Sequence, residues 1–240
     1  NRSGGRDVGR NCALYSCGKE TQFTLEYGFL LRPCLMFDAA LRPWVDRILN
    51  PVGIWLAARN VGANTLTAAG FGVGIAAVIA VALGYFWLAF ILIIINRIFD
   101  GLDGAVARAT KITDFGGFLD ITSDFIFYSA VPFGFVLVDP GNGSAGCFLV
   151  FSFVGSGASF LAFAIIAEKR GILTETQGKK AFFYVGGLTE GTETIIFLLT
   201  VTALPQLFVP LALIFGVLCW VTTANRVWSA AQLLSTADSE

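Results

Sequence analysis

Residues 86–124 read FWLAFILIIINRIFDGLDGAVARATKITDFGGFLDITSD. The stretch opens on an unbroken apolar run through Ile95, then places Asp100 and Asp103 three residues apart, on one face of a helix. Gly104 and Ala107 continue that stripe. After the short polar turn Thr110–Asp114, Gly116, Asp120 and Asp124 recur at intervals of four and form a second stripe. A turn this short makes the two helices antiparallel neighbours, so the acidic stripes can face each other at one end of the pair. Asp114 is read as the N-cap of the second helix. A charge inside a bilayer costs about 2.5–3.5 kcal/mol at mid-depth, so acids placed a turn and more inside apolar helices call for a function.

Working outward, the chain is 55% hydrophobic with a mean hydropathy of +0.72, and only 14% of its residues are charged. Soluble domains carry roughly a quarter charged residues. Six apolar stretches reach the length of about 20 residues that a bilayer-spanning helix needs. They cover 64–83, 85–108, 115–138, 145–167, 181–203 and 206–228. The expected fold is therefore all-α, a polytopic membrane protein with six transmembrane helices. Residues 37–60 mix Leu41, Trp44, Ile48, Ile54 and Leu56 with Arg42, Asp46, Arg47 and Arg59. They are too charged to span, and read as an amphipathic helix along the membrane face, interrupted at Pro51. A helix docked on the protein's own surface is the other reading.

The connections near Gly84, Asp139–Gly143 and Leu204-Pro205 carry no Lys or Arg. Arg32, Arg42, Arg47, Arg59, Arg108, Lys111, Lys169, Arg170, Lys179, Lys180 and Arg226 all fall on the opposite side. By the positive-inside rule that side is cytoplasmic, which puts both termini and the acidic stripes there. The expected location is the inner membrane of a bacterium. A net charge of -1 supplies no field for nucleic acid.

Residues 1–35 differ in character from the rest, and the sole methionine, Met36, sits where the amphipathic pattern begins. They are read as a non-native or disordered extension preceding a membrane domain at 36–232, with a polar tail at 233–240. Five cysteines with no paired spacing make no disulfide framework, and Cys147 and Cys219 read as apolar packing residues.

With no histidine in the chain, proton transfer falls to a carboxylate, Lys, Tyr or Cys, and His-based metal sites are excluded. Four converging carboxylates repel one another. Arg97 and Arg108 are placed to pair with two of them. Metal is the economical explanation for the set, and oxygen-only ligands select hard cations such as Mg2+, Mn2+ or Ca2+. Four aspartates can hold two ions, an arrangement suited to phosphoryl chemistry. A cation pathway is the competing reading. It fits poorly, because the acids cluster near one face and no inverted repeat is present. A catalytically dead scaffold is the third.

The run Asp100-Gly101-Leu102-Asp103-Gly104-Ala105-Val106-Ala107-Arg108, followed by Gly116, Asp120 and Asp124, resembles the signature of the CDP-alcohol phosphatidyltransferases, D-x2-D-G-x2-A-R … G-x3-D-x3-D. Every fixed residue is present, and the spacer between Arg108 and Gly116 is shortened within the turn. The Asn64-Thr65-Leu66-Thr67 entry to the first span is also similar, with Ala63 where a Pro is usual. The resemblance implies transfer of a phosphatidyl group from a CDP-linked lipid, commonly CDP-diacylglycerol, to a small alcohol acceptor, with CMP released. It implies that Asp100, Asp103, Asp120 and Asp124 hold two divalent cations, Mg2+ or Mn2+. Asp124 is then also the general base. Gly104, Ala107, Arg108 and Gly116, with Asn64 and Thr67, are expected to line the nucleotide, and a homodimer is expected.

For the acceptor, Ile166 stands where relatives with phosphorylated acceptors often have Arg, which argues against that class. Lys180 and its basic neighbours can instead meet phosphate or anionic lipid. Glu190 and Glu193 share a helical face in Gly187–Thr194. If that helix starts near Ala181, they lie about 13–18 Å along it, where they either bind the acceptor or organise Arg97. Gly155-Ser156-Gly157-Ala158-Ser159 reads as a close contact, within the chain or across a dimer.

Overall fold

The structure, a computed structural model, describes residues 37–169, 173–174, 181–182, 189 and 191–237. It is helical apart from one short antiparallel pair. The helices are α1 (Phe37–Ala58), α2 (Ala63–Ala82), α3 (Phe86–Ala109), α4 (Asp114–Val138), α5 (Gly143–Lys169), α6 (Gly191–Ala203) and α7 (Phe208–Ala237). Strands β1 (Leu173–Thr174) and β2 (Ala181–Phe182) pair with Leu173 opposite Phe182. The expected extension at 1–35 lies outside the described residues, and α7 runs on through Ala237 into the stretch whose composition marks a polar tail.

Among the described residues, four helical stretches are long and apolar enough to cross a membrane: 63–82, 114–138, 140–169 and 205–232. The second expected crossing element, α3, is 24 residues long. Its composition is broken by Arg97, Asp100 and Asp103, so the residues that carry the chemistry also weaken its membrane signature. The helix in the place of the fifth expected span is too short to count among these four stretches. Ala181–Phe182 is strand, and the helix starts only at Gly191, which leaves α6 at 13 residues. Glu193 therefore sits in the first turn of α6 rather than well along a helix beginning at Ala181.

Local chemistry explains the helix ends. Thr113, not Asp114, caps α4: its Oγ1 accepts from the Gly116 N–H at 3.1 Å. Asp114 is the first helical residue, where its negative charge still meets the positive end of the helix dipole. Gly84 turns the chain from α2 into α3 at φ +78°, a conformation that excludes most side chains. At the α4–α5 corner Asp139 Oδ1 accepts from the Gly141 N–H at 2.8 Å, and Asn142 Nδ2 donates to the Phe135 carbonyl at 2.9 Å.

The chain packs as a bundle in which α2 lies against α3 and α4, α1 and α6 against α3, and α5 against α7 and α4. Stacked rings gather at the end whose corners carry no Lys or Arg: Phe135 lies 5.6 Å from Phe86 and 4.3 Å from Phe208, centroid to centroid. Phe197, Phe215 and Phe153 extend this core inward. The carboxylates are at the other end, in the last turns of α3 and the first turns of α4. Large apolar side chains on the outer faces, such as Ile79, Trp87, Ile91, Phe133, Phe151 and Ile214, are exposed, as a lipid solvent requires.

Helix α1 is continuous through Pro51, contrary to the expected break, and lies on α3. Gly53 makes that approach possible: a Cβ there would stand 2.5 Å from the Ala105 Cβ and 3.0 Å from the Ala105 backbone carbon. We predict that Gly53→Ala lowers stability by about 1–3 kcal/mol, the usual range for overpacking. It should read out as a lower melting temperature of the detergent-solubilised protein, with a wild-type value as the contrary result. The glycine-rich stretch of α5 makes contacts within the chain. Gly157 faces the Phe125 ring, Gly155 faces Trp220, and the Ser156 carbonyl accepts from Arg226. Cys219 is buried as expected, whereas Cys147 is exposed on the outer face of α5.

Candidate active site

The two acidic stripes meet. Asp100 and Asp103 of α3 and Asp120 and Asp124 of α4 all line one small pocket, together with Thr67, Gly70, Phe71, Asn96, Arg97 and Ser123. Close approach of α2 shapes its wall. Gly70 sits on Phe99, and Gly74 lies against Asn96 and Phe127, at separations that leave no room for a Cβ without displacement.

Three of the carboxylates are each held differently. Asp103 is buried, and its Oδ2 accepts from Thr67 Oγ1 at 2.6 Å, tying α3 to α2. Asp124 is gripped on both oxygens. Arg97 Nη2 donates to Oδ1 at 2.8 Å and Tyr128 OH donates to Oδ2 at 2.9 Å. Arg97 also pairs with Asp100 at 3.5 Å and donates to Tyr128 OH at 3.1 Å. Its Nε donates to Asn96 Oδ1 at 2.8 Å, while buried Asn96 donates to the Gly70 carbonyl of α2 at 2.8 Å. The guanidinium lies 5.3 Å and 5.5 Å from the Phe127 and Tyr128 ring centroids. Among the described residues, Arg97 is the one cation lining this pocket, facing four acids.

Arg108 departs from expectation. It pairs with none of the four aspartates. Its Nη2 donates to Asp46 at 2.8 Å and to Asn50 at 3.0 Å, both on α1. The reason is direction: it lies in the last turn of α3 on the exposed side that α1 covers.

A second pocket adjoins the first and shares Thr67, Asp103 and Asp120 with it. Asn64, Thr67, Gly104, Ala107, Arg108 and Gly116, the residues expected around a nucleotide, all line it, with Lys111 at the rim. Gly116 packs beside the Asn64 side chain, and Gly104 beside Arg108. A third pocket shares Asp124 with the acidic one and extends between α4, α5, α6 and α7. Its polar lining is Tyr128, Ser156, Thr189, Thr194 and Arg226, among Phe125, Phe153 and Phe160. Arg226 is buried, donates to Ser156 O and Oγ, and lies 5.4 Å from the Phe160 ring centroid.

Of the residues expected to meet an acceptor, Glu190 and Lys180 lie outside the described residues. Glu193 is half-buried in the first turn of α6. Asn96, Tyr128 and Thr189 carry no separate expectation from the sequence, and Ser156 is expected only as part of a close helix contact. The only available signal for Asn96 and Tyr128 was polarity inside an apolar helix, a signal shared by many membrane threonines and serines.

A divalent cation fits this pocket by donor chemistry: every acid supplies hard oxygen, and one guanidinium cannot balance four carboxylates. Among the described residues, no three such side chains are arranged as they would be around an ion. The oxygens are engaged elsewhere, Asp124 with Arg97 and Tyr128, and Asp103 with Thr67.

Comparison with known proteins agrees with this layout. The family model described as CDP-alcohol phosphatidyltransferase matches residues 60–228. The inner membrane protein YnjF of Escherichia coli is 47% identical over 195 residues, covering 81% of this chain and 95% of that protein. An archaetidylinositol phosphate synthase of Pyrococcus horikoshii is 39% identical over 98 residues, 40% of this chain and 52% of that one. Among solved structures, the phosphatidylinositol phosphate synthase of Mycobacterium tuberculosis with CDP-DAG bound superposes with a TM-score of 0.55. It shares 25% sequence identity over 79% of this chain and 93% of that chain. The same enzyme in complex with manganese and citrate gives a TM-score of 0.54 and 26% identity over 78% of this chain and 88% of that chain. The chain, a helical membrane transferase of phospholipid synthesis, belongs to the CDP-alcohol phosphatidyltransferase family.

Proposed function

We propose that this protein transfers a phosphatidyl group from a CDP-linked lipid such as CDP-diacylglycerol to a small alcohol, releasing CMP. One observation carries the reading. Four carboxylates from α3 and α4 surround a single pocket, and that pocket opens onto a second one lined by Asn64, Thr67, Gly104, Ala107, Arg108 and Gly116. The mycobacterial relative crystallised with CDP-DAG in one structure and with manganese in another supports both the donor and the metal.

In this reading Asp100, Asp103, Asp120 and Asp124 hold two divalent cations, Mg2+ or Mn2+. When bound, these ions supply positive charge to the pyrophosphate and to the departing CMP. The chain's own groups do the rest. Gly104, Ala107 and Gly116 present small surfaces that let the nucleotide approach the helix backbones. Asn64, Thr67 and Arg108 offer polar contacts at the same pocket. Thr67 fixes the Asp103 carboxylate. Asp124 accepts the proton of the acceptor hydroxyl as it attacks phosphorus, the P–O bond to CMP breaks, and the CMP phosphate leaves with its electron pair. Asp124 suits this role because it borders both the acidic pocket and the third one.

That third pocket is the acceptor chamber in this proposal. Hydroxyls of Tyr128, Ser156, Thr189 and Thr194 suit a polar alcohol, and Arg226 supplies one cation. The reading keeps α2 to α7 as six crossings, α1 as the interfacial helix, both termini and the site on the cytoplasmic side of an inner membrane, and a homodimer. No role for nucleic acid is included.

The test is incubation of purified protein with Mg2+ or Mn2+, CDP-diacylglycerol and a panel of alcohols, followed by mass analysis of the lipids. A new phospholipid with stoichiometric CMP is expected. Cation flux in liposomes without any CMP release would instead favour a conduction pathway.

A further inference from the structure

We infer that Arg97 is an internal competitor of the divalent cations, a positioning residue that holds Asp124 and Asp100 in place and sets how tightly metal binds. The inference rests on the metal reading above, and goes beyond it in assigning a function to a residue outside the D-x2-D-G-x2-A-R … G-x3-D-x3-D pattern.

Arg97 lies three residues before Asp100, one turn earlier on the same face of α3. Its guanidinium reaches both helices at once. Nη2 takes Asp124 Oδ1 at 2.8 Å, and Nη1 lies 3.5 Å from Asp100 Oδ2. Those are oxygens of one ligand from each acidic stripe, so a cation drawing on them meets a positive charge already in contact. Tyr128 completes the grip by donating to Asp124 Oδ2 at 2.9 Å.

The arginine is built in rather than loosely placed. Its side chain is 17% exposed, wedged beside the Phe127 and Tyr128 rings. Nε donates to Asn96, and Asn96 in turn donates to the Gly70 carbonyl across the α2–α3 contact. Gly74 leaves Asn96 the space to do so. Three helices thus fix one guanidinium against two carboxylates. A salt bridge wanted only for charge balance would not need a buried asparagine to aim it.

Two effects follow with opposite signs. The positive charge weakens metal binding, because like charges a few ångströms apart repel. The same contacts orient Asp124, so losing them weakens turnover. A residue of merely structural importance would not raise metal affinity when removed.

The experiment measures Mn2+ binding to the purified full-length chain by electron paramagnetic resonance of the free ion, alongside CMP release at saturating Mn2+ and thermal unfolding. Arg97→Met is expected to bind Mn2+ about tenfold or more tightly, since the repulsion of a nearby unit charge is removed, while kcat falls. Arg97→Lys keeps the charge and loses the two-sided fork, so its Mn2+ affinity should stay near wild type while kcat falls. Tyr128→Phe leaves the charge untouched, and its Mn2+ affinity should also stay near wild type. Folded Arg97→Met binding Mn2+ no more tightly than wild type overturns the inference. Should Arg97→Met not fold, Arg97→Lys with unchanged turnover overturns it, and Arg97→Lys with wild-type affinity and reduced kcat supports it. A wild-type chain that binds no Mn2+ at all would instead overturn the metal assignment itself.

Discussion

Replacing Asp124 with Asn is expected to cut CMP release about a thousandfold at saturating metal and donor, within the range of 10²–10⁴ typical of general acid–base groups. Asp124 borders the acidic pocket on one side and the hydroxyl-lined chamber between α4, α5, α6 and α7 on the other. Without histidine in the chain, few groups can accept a proton there. Asn has nearly the same shape and still accepts from Arg97 through its amide oxygen, so the local packing should survive. What it loses is the negative charge and the capacity to take a proton. Asp124 does not line the nucleotide pocket, so KM for the CDP-lipid should change far less than kcat. Kinetics on the folded variant, with the melting temperature measured in parallel, check both statements. Undiminished CMP release would remove Asp124 from the chemistry and leave the acidic pocket as a scaffold.

Stripping divalent ions with a chelator should lower activity by a similar or larger factor, and adding back Mg2+ or Mn2+ should restore it. The pocket holds four carboxylates and one guanidinium, and a pyrophosphate brings further negative charge to it. Two unit charges at 4 Å repel by about 4 kcal/mol at an effective dielectric constant near 20. Such terms add for each carboxylate, so the donor cannot approach without added cations. Asp103→Asn should raise the Mg2+ concentration needed for half-maximal activity. It removes one ligand charge and leaves the Thr67 hydrogen bond an acceptor at the amide oxygen. Chelator-resistant CMP release, measured with the same CDP-lipid substrate, would contradict this account.

Both predictions depend on features of unequal visibility in the sequence. The stripes on α3 and α4 follow from spacing within each helix and from a turn too short for anything but antiparallel neighbours. Asp100, Asp103, Asp120 and Asp124 accordingly share one pocket. The six residues expected at a nucleotide also line one pocket, because each lies in or beside that same hairpin or at the start of α2. Where expectation failed, a local cue was outweighed. Hydropathy carried the fifth span back to Ala181, but Ala181–Phe182 pairs with Leu173–Thr174 and the helix begins at Gly191. Pro51 suggested a break in α1, yet the helix is continuous and seated on α3 through Gly53. Arg108 looked like a counter-charge for the acids and instead joins α3 to α1 through Asp46.

The sequence by itself determined the helical membrane class and the meeting of two acidic stripes, because these depend on composition and on contacts within one hairpin. Only the tertiary structure decided what holds each acid. Thr67 reaches Asp103 across 36 residues, Arg97 reaches Asp124 across 27, and Arg226 reaches Ser156 across 70. Those pairings depend on how far each helix is rotated about its axis and how closely its glycines let it approach, and rotation and approach are settled by packing over the whole bundle.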